Sequence, residues 1–413
     1  MTDVVRRTLL TSVAATAIAA VAAAASAQSP AASGGLTLTA AVERALQANP
    51  TIAAARLQRP IDVAGLTLAG ERPNPEIAYE FTRETPRQAI TATVPIELGG
   101  KRQRRVDLAN ATVAVGEAEL AKIVTDIRND VRRAYFEVVA ADTRVQIADD
   151  VRALAQRARD AANARVTAGD VPRSDLTQSE LTLATSESDL IEARGEAAAT
   201  RAELNALLGQ PIESPVDLID TLTGGDLPTA QDALARATST NVELQVLERR
   251  IAEQQARVAL AQAMRTPDVA AGGGVAYDAG EEFRAGWRVS VGVTLPLFAN
   301  HKAGVMVEEA TLARLRRERE ASVSQLSGAI TAALTRAASM RELVQRYQSV
   351  VLPLAVEAER QAQVAYTAGQ IGSPVLVQAL QTARETRQRG LDASLAYQKA
   401  LADLEKAIGA AVR

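Results

Sequence analysis

The sequence predicts a mainly α-helical protein with a small β part, built from two copies of a unit: helix, β-hairpin, long helix, long helix. Three observations predict it. Of the 413 residues, 47% are apolar but only 3% aromatic, and much of the apolar fraction is alanine. An ordinary core takes most of its buried area from large side chains, whereas alanine-rich, charged chains suit long, closely packed helices. Next, short motifs recur: Thr167-Ala168-Gly169 as Thr367-Ala368-Gly369, Leu208-Gly209 as Ile408-Gly409, and Pro95 and Lys101 as Pro296 and Lys302. Duplication at so long a period makes a two-part fold rather than a solenoid. Finally, each copy carries two short runs of period-two alternation ahead of a long run of helical periodicity.

Composition excludes much chemistry. The chain has no cysteine, hence no disulfide, thiolate nucleophile or Cys-based zinc site. Its one histidine, His301, leaves no His-paired metal site and argues against a His-dependent triad. A net charge of -3 gives no global attraction to nucleic acid. The expectation is a protein that is not an enzyme, with no cofactor, no resident metal and no nucleic-acid partner.

Taken in order, residues 1–27 read as a secretory signal peptide: Arg6 and Arg7, an uncharged stretch, then Ala25-Ser26-Ala27. A membrane anchor is the alternative, and the arginine pair suits Sec and twin-Arg export alike. A linker, 28–38, follows. Copy one spans 39–208. Its first helix breaks at Asn49-Pro50 and stops at Pro73 and Pro75. Strands are expected at about 75–83 and 88–98, with Ile77, Tyr79 and Phe81 on one face. Long helices are expected at about 99–168 and 173–208. A Gly/Pro-rich linker, 209–228, leads to copy two, 229–413. Its strands fall at about 267–277 and 284–297, with Trp287, Val289, Val291 and Val293 on one face, and its long helices at about 299–368 and 373–411. The run Gly272-Gly273-Gly274 is no phosphate loop, since no Lys-Ser/Thr follows. In both long first helices, apolar and small residues recur at alternating spacings of four and three, a coiled-coil seam.

The strands have the length that crosses a bilayer when tilted. Ile77, Tyr79, Phe81, Trp287, Val289, Val291 and Val293 would face lipid and the alternate residues water. Four strands cannot close a barrel, and open edges are not tolerated in lipid. Protomers must then share one barrel: two would give eight strands and a filled interior, three would give twelve and an opening. A soluble sheet with one buried face is the alternative.

Ala45-Leu46-Gln47-Ala48-Asn49-Pro50, the paired strands, the long helix, the Thr-Ala-Gly turn and the Leu-Leu-Gly close come in the order of the TolC-like outer membrane efflux proteins, which the chain resembles over about residues 36–410. Pro95-Ile96-Glu97-Leu98-Gly99-Gly100-Lys101-Arg102 resembles the segment after the second strand in CzcC-type, heavy-metal-resistance members. The resemblance implies a homotrimer with a shared twelve-stranded outer membrane barrel, continued by an α-helical periplasmic tunnel, with 209–228 near its equator. It implies outer membrane lipids, a periplasmic membrane-fusion adaptor and an inner-membrane pump of the resistance-nodulation-division class as partners. It places adaptor docking and the tunnel entrance at the turns carrying Gly169, Val171, Ser174, Asp175 and Leu176, then Tyr366, Gly369, Ile371 and Ser373. Multidrug members close this entrance with an arginine where Ile371 stands, and carry aspartates where this chain has Val375 and Gln378. An apolar constriction by Ile371, Val375 and Gln378 is expected instead, with Ile371 and Val375 on one face if the helix extends through both. Ser174 and Ser373 are expected to cap the helices that follow. The basic run Lys101, Arg102, Arg104, Arg105 reads as a solvated helix start or as a contact with acidic lipid groups. Export of metal ions or small toxic compounds, type I protein secretion and a soluble periplasmic coiled-coil scaffold are the functions left open.

Overall fold

The structure is a computed structural model and describes residues 35–222, 224–277 and 285–410. The expected signal peptide, most of the 28–38 linker and the loop 278–284 lie outside the described residues. From Thr37 onward the chain packs as one unit.

Copy one opens with three helices, α1 (Leu38–Ala48), α2 (Pro50–Arg56) and α3 (Gln58–Ala69). Thr37 caps α1 by accepting the Ala40 N–H. Asn49 accepts the Thr51 and Ile52 N–H groups and so starts α2 with Pro50 at its first position. Strands β1 (Glu76–Phe81) and β2 (Gln88–Ile96) precede α4 (Lys101–Ala168) and α5 (Arg173–Leu207). The 68 residues of α4 give a rod of about 100 Å. Copy two repeats the order: α6 (Ala230–Thr240), α7 (Val242–Ala263), β3 (Asp268–Tyr277), β4 (Ala285–Thr294), α8 (Lys302–Arg346), α9 (Leu352–Thr367) and α10 (Ser373–Ile408).

Differences from the expected elements have local causes. Strand β1 holds six residues, fewer than 75–83 implied. Pro73 and Pro75 cannot donate ahead of it, and after Phe81 the Thr82 N–H turns to the Arg87 carbonyl. Strand β4 ends at Thr294, two residues before Pro296, rather than at 297. The helix expected over 299–368 is interrupted at Tyr347–Val351 by a π-helical turn. Pro353 lies just beyond: it offers no N–H and its ring crowds the carbonyl four residues back, so the backbone widens there.

Each copy is closed on itself by the same device. The Asn49 side-chain N–H donates to the Leu207 carbonyl at 2.8 Å, and that of Asn241, which caps α7, to the Ala407 carbonyl at 2.9 Å. Each asparagine thus starts one helix and ties down the end of another. Between copies, α4 lies antiparallel to α10 along a ladder of ion pairs. Asp126–Lys406 (2.8 Å), Arg132–Glu405, Arg133–Asp403, Glu137–Lys399 (2.6 Å) and Arg144–Asp392 (2.7 Å) keep one register. Beneath them, apolar clusters fill the helix contacts: Ala233, Ala237, Ile330, Leu404 and Ile408 in one, Ala337, Val344, Tyr397 and Leu401 in the next. Small side chains let the rods approach, which is why so few aromatics suffice.

The four strands form one antiparallel sheet in the order β1-β2-β3-β4. The central seam is β2 with β3, from Gln88 opposite Tyr277 to Ile96 opposite Val269. The copies therefore share one sheet as well as the helix ladder.

Candidate functional site

Opposed residues in an antiparallel sheet share a face. The register puts Ile77, Tyr79 and Phe81 of β1 with Ile90, Val94 and Ile96 of β2, Val269 and Val275 of β3, and Trp287, Val289, Val291 and Val293 of β4. All seven residues expected to face lipid lie on this face. Among the described residues nothing covers it: Trp287 is 84% exposed, Ile77 78%, and Val289 and Val291 each 71%. An uncovered apolar surface running across four strands is far larger than scattered exposed residues. The other face carries Glu76, Glu80, Thr91, Thr93, Arg288 and Ser290, with Gly272 and Gly274 between them. Among the described residues, β1 and β4 are the edges of the sheet, each paired on one side only.

The sheet joins the helices through the Pro95–Arg105 segment. Lys101 is almost fully buried and donates to Asp268, at the start of β3, at 2.7 Å, while the Leu98 N–H donates to the same carboxylate. Arg105 pairs with Glu97 and also donates to the Ala69 and Glu71 carbonyls; Arg102 donates to the Gly70 carbonyl at the end of α3. Hydrogen bonding to Glu97 raises the Arg105 pKa against an opposing effect of burial. Only Arg104, paired with Asp107 on its own helix, is a solvated helix-start charge. The segment is a joint between strand ends and helix ends. His301, in the place of Gly100, holds a left-handed backbone at φ 55° beside the 72° of that glycine.

At the far end the two hairpin turns are built alike. Gly169 and Gly369 take φ of 81° and 73°. The Asp170 N–H closes on the Arg165 carbonyl, and the Gln370 N–H on the Ala365 carbonyl. This is the left-handed helix stop that glycine permits. Val171, Asp175 and Leu176 are half-buried and Ser174 exposed; Tyr366 and Ser373 are buried. The expected serine caps do not form. Ser174 lies inside α5 behind Pro172, and Ser373 is the first residue of α10, its hydroxyl buried without a hydrogen-bond partner. Ile371 precedes α10 and packs against the buried cluster of Tyr366, Leu376 and Leu380, on which Leu154 of α4 also packs. It therefore does not share a face with Val375, because the helix does not extend through both. Val375 (55% exposed) and Gln378 instead line a shallow groove with Ala355 and Ala358 of α9. Sequence reading missed Arg165, whose guanidinium lies 5.5 Å from the Tyr366 ring centroid and links the two hairpins of one protomer. An arginine in a long charged helix gives no sign of that role.

Residues 41–210 match the family described as outer membrane efflux protein. Over 363 residues, 87% of each chain, the sequence is 28% identical to the cobalt-zinc-cadmium resistance protein CzcC of Cupriavidus metallidurans. Solved structures share the fold. CusC matches with a TM-score of 0.75 at 17% identity, over 90% of this chain and 92% of its own. The CmeC outer membrane channel of Campylobacter jejuni matches with 0.76 at 14%, over 90% and 85%. VceC of Vibrio cholerae matches with 0.74 at 16%, over 91% and 96%. No described helix is long and apolar enough to cross a membrane, and the sheet carries a continuous row of exposed apolar residues on one face. Residues 41–210 thus carry the match to the outer membrane efflux proteins, most of the chain is similar to CzcC, and its fold is that of solved outer membrane channels.

Proposed function

We propose that three copies of this chain close a twelve-stranded barrel in the outer membrane, continued by a helical tunnel into the periplasm. In this reading the assembly is the exit duct of a tripartite efflux system. The observation that carries it is the four-stranded sheet with an uncovered apolar face and two edges paired on one side only. Water does not favour that face, and lipid does not tolerate those edges unless neighbouring copies pair with them. An inner-membrane pump of the resistance-nodulation-division class supplies the driving force, and a periplasmic adaptor docks on the turns at Gly169–Leu176 and Tyr366–Ser373. The entrance is narrowed by exposed side chains of the second hairpin, Val375 and Gln378, with Ile371 packed behind them on Tyr366, Leu376 and Leu380. The cargo is divalent transition-metal cations, as the name of the CzcC relative suggests; the chain conducts them and does not hold them.

Native mass measurement of the outer membrane fraction in detergent tests the assembly. Trimers are expected, and a stable inserted monomer overturns the reading. A strain lacking the chain should lose resistance to cobalt, zinc and cadmium; unchanged resistance refutes the cargo.

A further inference from the structure

The polar face of the sheet carries an arrangement that neither barrel closure nor helix packing requires. Arg288 on β4 reaches Glu80 on β1, the opposite edge of the sheet, at 3.9 Å. Two strands intervene, so at ordinary strand spacing the pair spans roughly 14 Å of sheet. It closes because the ground between is low. The row opposite Arg288 reads Gly274, Thr91, Ala78, and the row opposite Glu80 reads Ala89, Ala276, Gly286. A side chain at Gly274 would collide with the Ile90 carbonyl at 2.2 Å and Thr91 at 2.7 Å, and one at Gly272 with Ser290 at 2.4 Å. A link between first and last strands on this side marks it as the concave side.

Both side chains are about half exposed, and an ion pair so placed contributes little stability. Its consequence is electrostatic. Among the described residues the polar face holds Glu76, Glu80, Asp268 and Arg288 as charges. Asp268 is matched by Lys101. Glu80 answers Arg288, the one cationic residue of the strands, and Glu76 is left over.

We propose that Glu80 preserves the charge selectivity of the duct wall by masking Arg288, so that Glu76 is left to give a net acidic, cation-favouring lining. This rests on the shared-barrel reading and adds to it the class of solute that the wall favours.

The chain has no cysteine, so introduced thiols report cleanly. Ala78→Cys lies in the Arg288 row, and Val289→Cys points to the opposite face. The trimer is reconstituted in lipid vesicles and treated with cationic and anionic methanethiosulfonates, and the ratio of their rates at Ala78→Cys is the readout. In the unmutated background the cationic reagent should react faster. A unit charge about 7 Å away in water changes each rate roughly threefold, so the ratio moves roughly fivefold to tenfold. Glu80→Gln should move it toward the anionic reagent by that factor, and Arg288→Gln further toward the cationic one. Glu80→Gln with Arg288→Gln should restore the original ratio, and about 1 M salt should flatten all differences. Ratios unchanged by both single substitutions, with Ala78→Cys reactive, overturn the selectivity proposal and leave the barrel intact. Ala78→Cys that stays unmodified, whatever Val289→Cys does, overturns the water-lined face and the barrel reading with it.

Discussion

Replacing Val291 with arginine is the sharpest test of which face meets lipid. Ten residues of β4 extend about 34 Å, and a tilt near 45° turns this into a rise of about 24 Å, close to the height of an apolar band. Val291 lies between one and two residues from the strand midpoint, hence within about 4 Å of the midplane. Arginine there costs about 2–4 kcal/mol. At 1.4 kcal/mol per decade, a cost of about 3 kcal/mol lowers the folding equilibrium more than a hundredfold. Ser290→Arg puts the same charge one residue away on the other face, above Gly272, and should cost less than about 1 kcal/mol. The assay is urea titration of folding into vesicles, followed by the mobility of unheated trimer on gels. A midpoint lowered by Val291→Arg and barely moved by Ser290→Arg is expected. Equal midpoints, or a larger loss at Ser290, refute the assignment of faces.

Other expectations follow from particular contacts. Asn49→Ala and Asn241→Ala each remove a helix cap and a tie to a distant carbonyl, and should lower stability by about 1–2 kcal/mol in denaturant titration. Asn→Asp at either site keeps the cap and should recover part of the loss. Burial pushes the Tyr135 phenol up to about 12, so the fold favours its neutral form. Stability from this group is complete below about pH 10 and is lost as pH rises through about 12; Tyr135→Phe should flatten that alkaline fall in thermal melts. His301→Gly relieves a left-handed backbone and should stabilise by about 0.5–1 kcal/mol in the same melts. Arg165→Ala removes the cation–π link to Tyr366 and should speed hydrogen exchange at both hairpin turns, with exchange in the α4/α10 ladder unchanged.

What could be read without the structure was whatever local periodicity and repetition carry. Alternation along 285–294 identified a strand and its two faces, because the side-chain period of a strand is two whatever it packs against. The Thr-Ala-Gly repeat marked equivalent turns, because a glycine stop acts on backbone within a few positions. What escaped depends on distant partners. The pairing of β2 with β3 leaves no trace in either strand. Lys101 looks like a surface charge until Asp268 is placed beside it. Ile371 looked free to face a tunnel because nothing local shows the Tyr366, Leu376 and Leu380 cluster it packs against. Pro353 was legible and was passed over, because the seam on either side of it continues in step.

The seam between β2 and β3 also dictates the order in which the chain folds. Each hairpin closes across a short loop, but Gln88 and Tyr277 meet only after the intervening chain has looped back. Contacts between residues so far apart in sequence form slowly. The helices between them must be in place first, since their packing brings the two hairpins side by side. A chain still emerging during synthesis therefore presents its first hairpin with the β3-facing edge of β2 unpaired until β3 arrives. In that interval β2 is a ready template for another strand, and holding it apart falls to whatever accompanies the chain on its route to the membrane.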